Sequence, residues 1–281
     1  MTDLDVRSAL EKPLNTNAIR LRPRSMITLT LVSIVCLASL SWPLVLQASP
    51  GTGHDTDAHW VFIAIVPILL IILLVELSEG GIDTKAIAML AVLSGVGAVL
   101  RPMGAGTGGI EPMFGLLILS GRVFGAGFGF VLGNTAMFAS AILTGGVGPW
   151  LPFQMIVAGW LAMGAGLLPN WRGGLELALL LGYTVISCLL YGLLMDLWFW
   201  PLLIGQESQL AYQPEASILT NLHHFSIYVL ATSLGFDLGR VITNCLLIAI
   251  LGPAVLFSLR RVLRGANFEP ATRFPSTQRG I

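Results

Sequence analysis

Apolar residues do not alternate with polar ones along this chain. They gather into long blocks at 26–47, 60–77, 84–100, 111–121, 128–143, 151–168, 175–199 and 237–262, separated by short polar or glycine-rich breaks. A block of about 20 apolar residues is long enough to cross a bilayer as a helix, and shorter blocks can do so when a bundle shelters them. The pattern therefore predicts an all-α polytopic membrane protein with eight spans. The pair 111–121 and 128–143 are short and close together, with 121-GRVFGAGFGFVLGN-134 breaking one hydrophobic run into two short helices.

Composition supports this reading. Among 281 residues 55% are hydrophobic and only 11% charged, against roughly 25% charged in soluble domains. Formal net charge is zero, so nothing calls for a nucleic-acid partner. Cys36, Cys188 and Cys245 stand alone in apolar runs without a C-x-x-C pair, which implies neither zinc nor redox chemistry. The block at 26–47 follows a polar tail with Arg7, Lys12, Arg20, Arg22 and Arg24. It exceeds the ~7–15 residues of a signal-peptide core and reads as a retained anchor, with Ala48 and Ser49 as the residues a cleavage site would use.

Lys and Arg accumulate on the cytoplasmic side of membrane proteins. Placing the N-terminal cluster and Arg260, Arg261, Arg264, Arg273 and Arg279 in the cytoplasm requires an even number of spans. With eight, Lys85, Arg122 and Arg172 also fall inside and the acidic loop 54-HDTDAH-59 falls outside. Arg101 and Arg240 are then the exceptions at the outer side. The chain divides into a tail over 1–25, two helices within 26–83, a six-helix membrane domain over 84–264 and a C-terminal tail over 265–281. From Thr84 onward glycine is denser and polar residues enter the apolar runs.

The first helix of the larger domain carries Ala88, Ala91, Gly95 and Ala98 at i, i+3, i+7 and i+10, with Ser94 on the edge. Helices in lipid associate by close packing, so a small-residue face is an association surface, either for another helix of this chain or for a separate membrane partner. The stretch 99-VLRPMGAGTGGIEP-112 contains G-x-G-x-x-G at Gly104, Gly106 and Gly109. A dinucleotide turn needs a preceding strand, and here a membrane helix precedes it. No G-x-x-x-x-G-K-[ST] occurs either. The stretch instead reads as an outer flap bracketed by Arg101 and Glu111, with Glu111-Pro112 starting the next helix.

Polar groups inside spans are costly and face interiors or cavities. Those identified are Asn134, Gln154, Asp196, Arg240 and Asn244. Trp150, Gln154 and Ala158 share one helix face, so Trp150 suits either the membrane interface or a pocket wall. Arg240 shares a face with Asn244 and is also spaced to pair with Asp237. Beyond Asp196 and 198-WFWP-201 a long external loop is expected, carrying Asn221, His223 and His224 as polar groups, with no third ligand nearby to complete a metal site. Neither G-x-S-x-G nor H-E-x-x-H is present. The residues describe a binding protein, not a catalyst.

The runs 91-AVLSGVGAVLRPMGAGTGGIEPMF-114, 119-LSGRVFGAGFGFVLG-133 and 144-TGGVGPWLPFQ-154 resemble the substrate-binding S component of energy-coupling factor (ECF) vitamin transporters, in particular those of the actinobacterial branch. The resemblance covers roughly residues 84–264. It implies a six-helix bundle in the bacterial inner membrane that holds one vitamin near the outer surface, with no cofactor. The flap 101–110 would cover the cargo, and Arg101, Glu111, Trp150, Gln154, Asn221, His223 and Asn244 would touch it. Ala88, Ala91, Gly95 and Ala98 would dock on a transmembrane T component driven by two cytoplasmic ATPases, all within membrane lipids. A pocket with aromatics and few charges would suit a large, weakly charged vitamin such as a cobalamin-like cargo, with riboflavin-like and thiamine-like cargo open. Two readings compete: an intramembrane enzyme for lipid or polyprenyl substrates, which would need paired carboxylates or a phosphate-binding cluster beside Arg122 and Arg172, and a non-catalytic assembly partner. The two helices before Thr84 depart from the family pattern.

Overall fold

The computed structural model describes residues 18–19, 21–45, 64–75, 83–104, 108–202 and 210–266. Ala48 and Ser49, the acidic loop 54–59, the stretch 76–82 ahead of the division at 83/84, Gly106, the first 17 residues and the tail 267–281 lie outside these. Among the described residues the chain is helical, with no strand. The helices are α1 (Pro23–Val45), α2 (Ala64–Val75), α3 (Thr84–Leu100), α4 (Met113–Phe124), α5 (Ala126–Thr144), α6 (Leu151–Leu167), α7 (Gly174–Phe199), α8 (Ile218–Tyr228) and α9 (Leu234–Ala266). A helix lies under each of the eight apolar blocks. Five helical segments are long and apolar enough to cross a membrane, whereas α2, α4 and α6 are shorter apolar helices.

The break expected within 121–134 is present, but it is a single residue, Gly125, whose φ of 91° makes the corner between α4 and α5; the rest of the stretch is helical. A side chain would strain that backbone, so glycine is required there. The other glycines of the stretch serve packing. A Cβ on Gly121 or Gly129 would run into the carbonyl of Ala162, and one on Gly133 into that of Ala158. Helices α4 and α5 therefore approach α6 almost backbone to backbone, as small residues permit in lipid.

The external loop expected to carry Asn221, His223 and His224 is instead a helix. Ser217 caps α8 by accepting from the Thr220 N–H at 3.1 Å. Phe225 on α8 packs against Trp200, ring centroids 5.1 Å apart. Burying that aromatic face favours a helix over a solvated loop. From α8 the chain continues through a π-helical turn, Val229–Ser233, into α9, forming one helical segment of 47 residues. At 1.5 Å per residue it spans about 70 Å, well beyond a ~30 Å hydrocarbon core.

Helix α1 is part of the bundle. The Trp160 indole on α6 donates to Ser33 Oγ at 2.9 Å, and Trp42 meets Tyr212 edge-on at 5.5 Å. Ahead of α1, the Ala18 N–H donates to the Phe124 carbonyl at 3.0 Å, beneath the α4–α5 corner. Helix α3 buries Ala86, Leu90, Leu93, Ser94, Gly97 and Ala98. Ser94 Oγ lies 2.7 Å from Thr135 Oγ1 of α5.

Of the small-residue stripe, Ala98 is buried within the chain, and Ala88, Ala91 and Gly95 are exposed. A Cβ on Gly95 would meet nothing within 4 Å. Gly133→Leu is thus expected to destabilise the purified protein by about 3 kcal/mol or more through overpacking, while Gly95→Leu stays within about 0.5 kcal/mol of the parent. Thermal unfolding in detergent followed by intrinsic fluorescence separates the two variants. Equal melting temperatures would contradict this packing.

Candidate functional site

Four of the five polar residues of the spans, Gln154, Asp196, Arg240 and Asn244, lie at one end of the bundle, where the C-terminal parts of α3 and α7 meet the N-terminal parts of α4, α6 and α9, whereas Asn134 is buried within α5 and donates to the Phe130 carbonyl at 2.8 Å. Arg240 of α9 is at the centre. Its Nε donates to Glu111 Oε2 at 2.5 Å and its Nη1 to Asp237 Oδ1 at 2.6 Å. The guanidinium also sits 5.1 Å from the Tyr191 ring centroid and 5.6 Å from that of Phe114, a cation–π arrangement on two aromatic faces. The i, i+3 pair with Asp237 anticipated from spacing is present, and Glu111 is its long-range counterpart. Gly192 of α7 makes room, because a Cβ there would overlap the Asp237 carboxylate.

Asn244, one turn below Arg240, has its amide fully engaged. Its Oδ1 accepts from the Gly115 N–H at 2.6 Å, and its Nδ2 donates to the carbonyls of Glu111 at 2.9 Å and Arg240 at 2.8 Å. The first N–H groups of a helix lack intrahelical partners, and α4 has no side-chain cap of its own. Asn244 supplies that cap from another helix. The expected Glu111-Pro112 start is real, but the Glu111 carboxylate is spent on Arg240 and Asn244 does the capping.

The described parts of the flap, 101–104 and 108–110, lie beside this cluster. A Cβ on Gly104 would overlap the Ile110 carbonyl, and one on Gly109 the Phe236 carbonyl of α9. The flap backbone therefore lies directly on itself and on α9. Arg101 Nη2 donates to Gln154 Oε1 at 3.1 Å, tying the start of the flap to α6. Trp150, at the head of α6, is half-buried, with Trp198 and Phe199 at ring distances of 6.1 and 6.3 Å. Of the residues expected at the site, Arg101, Gln154, Glu111 and Asn244 come together around the flap, with Trp150 packed on the aromatic end of α7.

Asn221 and His223 are placed differently. Asn221 is buried and clamps the backbone of Gln213, accepting from its N–H at 3.0 Å and donating to its carbonyl at 2.8 Å. His223 is exposed, while its neighbour His224 is buried with Nδ1 3.2 Å from the Ala211 carbonyl. No hydrogen bond among the described residues joins either Asn221 or His223 to the flap. Spacing could not separate them from pocket residues while 210–228 read as loop.

Three residues were missed or undervalued. Tyr191 and Gly192 look like ordinary members of a Leu-rich run, although a glycine there signals close approach. Asp196 accepts from Ser233 Oγ at 2.7 Å, and the π-helical turn ending at Ser233 is the kind of irregularity that gathers at functional sites. The other Asp196 oxygen is buried without a hydrogen-bond partner among the described residues.

At the opposite end of the bundle Arg122 is not isolated as the sequence implied. Its Nε donates to Glu176 Oε1 at 2.8 Å, and its other nitrogens donate to the carbonyls of Leu168 at 2.9 Å and Trp171 at 3.1 Å. Arg260 reaches the same Glu176 oxygen at 2.5 Å. Glu176, only 3% exposed at its side chain, lies in the first turn of α7, inside the apolar block 175–199, and was not among the polar residues identified there.

Among the described residues no group of three or more His, Cys, Asp or Glu gathers as a metal site would require. Replacing Arg240 with Met would leave Asp237 buried without its cation, a loss of about 3–5 kcal/mol. Arg240→Met is therefore expected to unfold at markedly lower temperature and to expose residues 101–111 to limited proteolysis. An unchanged cleavage pattern would show that the flap does not depend on this ion pair. The chain matches no protein-family model, no curated protein and no solved structure.

Proposed function

We propose that this protein is the membrane-embedded substrate-binding subunit of an ECF-type importer, which captures a vitamin or related micronutrient from outside the cell. The observation that supports the reading is the placement of the described flap residues 101–104 and 108–111, packed on α9 at Gly109 and tied to α6 by Arg101 beside a buried polar cluster. A connection this rich in glycine would be free to swing away once the Arg101–Gln154 and Glu111–Arg240 contacts open. That is what a lid over a cargo site needs. The uncovered face of Ala88, Ala91 and Gly95 on α3 suits docking of a transmembrane T component, with two ATPases assembling on the cytoplasmic side.

In this reading the chain has eight spans in the bacterial inner membrane, with both termini in the cytoplasm and the flap outside. Arg101, Glu111, Trp150 and Gln154 are the cargo-facing residues, and Asn244 holds the frame. Asp196, with one carboxylate oxygen unengaged, is an added contact for a cargo hydrogen-bond donor. Helix α1, bonded to α6, would have to move with the bundle when cargo is released inside.

One observation favours the second reading, an intramembrane enzyme for polyprenyl or lipid phosphates: four arginines line one cavity at the other end. The acid beside them, Glu176, is engaged by two of those arginines and is poorly placed to serve as a general base.

Titration of right-side-out membrane vesicles and of detergent-purified protein with cobalamin, riboflavin and thiamine tests the proposal. Mass spectrometry of co-purified small molecules runs beside it. One vitamin is expected to bind tightly without ATP, and affinity purification is expected to recover a T component. Absence of both a ligand and a T component would end this reading.

A further inference from the structure

The cavity at the α4–α5 corner measures about 1360 Å³, larger than a typical small-molecule pocket of ~300–1,000 Å³. Arg122, Arg172, Arg260 and Arg264 line it, with Glu176 as the one acid lining it among the described residues. Four cations against one anion leave a formal excess of three positive charges. The arginines divide by role. Arg122 is buried and Arg260 half-exposed, and both are anchored on Glu176. Arg172 and Arg264 are exposed and have no ion pair among the described residues.

The remaining wall is apolar. Leu177 of α7 and Pro253, Leu256 and Phe257 of α9 line the same cavity, and Phe257 is 63% exposed on the flank of the bundle. The cationic end and the hydrocarbon-facing flank are thus continuous. A small hydrated anion would need only the arginines. A ligand with a phosphate at one end and acyl chains at the other matches both parts. Basic pockets between membrane helices hold anionic headgroups in this way, and guanidinium groups fit phosphate oxygens in paired geometry.

We infer that this cavity is a binding site for an anionic phospholipid, with its phosphate headgroup on Arg172 and Arg264, backed by Arg122 and Arg260, and its acyl chains along the α7–α9 flank. The Glu176 bridge preorganises the site by holding Arg122 and Arg260 together between α4, α7 and α9. The inference is independent of the cargo at the other end of the bundle.

The full chain, reconstituted in nanodiscs of equal parts phosphatidylcholine and phosphatidylglycerol, is released into native mass spectrometry and its retained lipids are counted. Phosphatidylglycerol should be retained over phosphatidylcholine, and the double variant Arg172→Gln/Arg264→Gln should lower that retention by roughly tenfold. Arg261→Gln, exposed and outside the cavity lining, should leave it unchanged. Both substituted cavity residues are exposed, so folding is not at stake, and an unchanged melting temperature verifies it. Equal retention of the two lipids, or full retention in the double variant, would overturn the inference. Displacement of the lipid by millimolar inorganic phosphate would assign the site to a free anion instead. Recovery of an acidic protein on these arginines without bound lipid would assign it to a protein partner. Either result would also overturn it.

Discussion

A buried arginine in a membrane bundle sets the constraint on which the rest depends. Arg240 cannot lie among Phe114 and Tyr191 without anions beside it, and it draws them from two places, Asp237 on its own helix and Glu111 at the foot of the flap. Meeting Glu111 fixes where α4 begins. Meeting Asp237 requires Gly192 on α7, because no other residue leaves room for the carboxylate. Asn244, one turn away, then caps α4. One charge thereby sets the relative positions of α4, α7, α9 and the flap. Breaking such a pair costs more than its net contribution to stability, since the abandoned partner stays buried.

The two ends of the bundle follow different rules. At the flap end, polar side chains reach across between helices and backbone closeness is confined to glycines that let the flap lie on α9. At the other end, two ion pairs meet on Glu176, from Arg122 and Arg260, while α4, α5 and α6 press together through Gly121, Gly129 and Gly133. Close backbone packing is rigid because it leaves no side chain to rearrange. The described parts of the flap are instead held by the Glu111–Arg240 ion pair, the Arg101–Gln154 hydrogen bond and backbone contact at Gly109.

Much of the fold was legible because lipid imposes a simple rule, that apolar blocks become helices. All eight blocks carry one, and the corner at Gly125 falls inside the stretch read as a break. What misled was glycine. In 121–134 it looked like loop chemistry, yet it marks helices packed at backbone distance, which composition alone cannot distinguish. The segment around Asn221 and His223 looked polar enough for a loop because its apolar face, Phe225 and Tyr228, is interleaved with histidines. At the site, Arg101, Gln154, Glu111 and Asn244 were identifiable as polar residues in costly places. Their partners were not, because Glu111 and Arg240 are 129 residues apart and no local spacing links them. Asn244 also shows that an intramembrane amide is as readily a helix cap as a ligand contact.

The central claim is that residues 101–111 are a lid over the Arg240 cluster. Hydrogen–deuterium exchange of the detergent-purified protein tests it most directly, measured alone and with cobalamin, riboflavin and thiamine in turn. The account predicts that the vitamin that binds slows exchange across 101–112 and leaves the glycine-packed segment 121–133 unchanged. Binding of a vitamin with no change across 101–112 would contradict it.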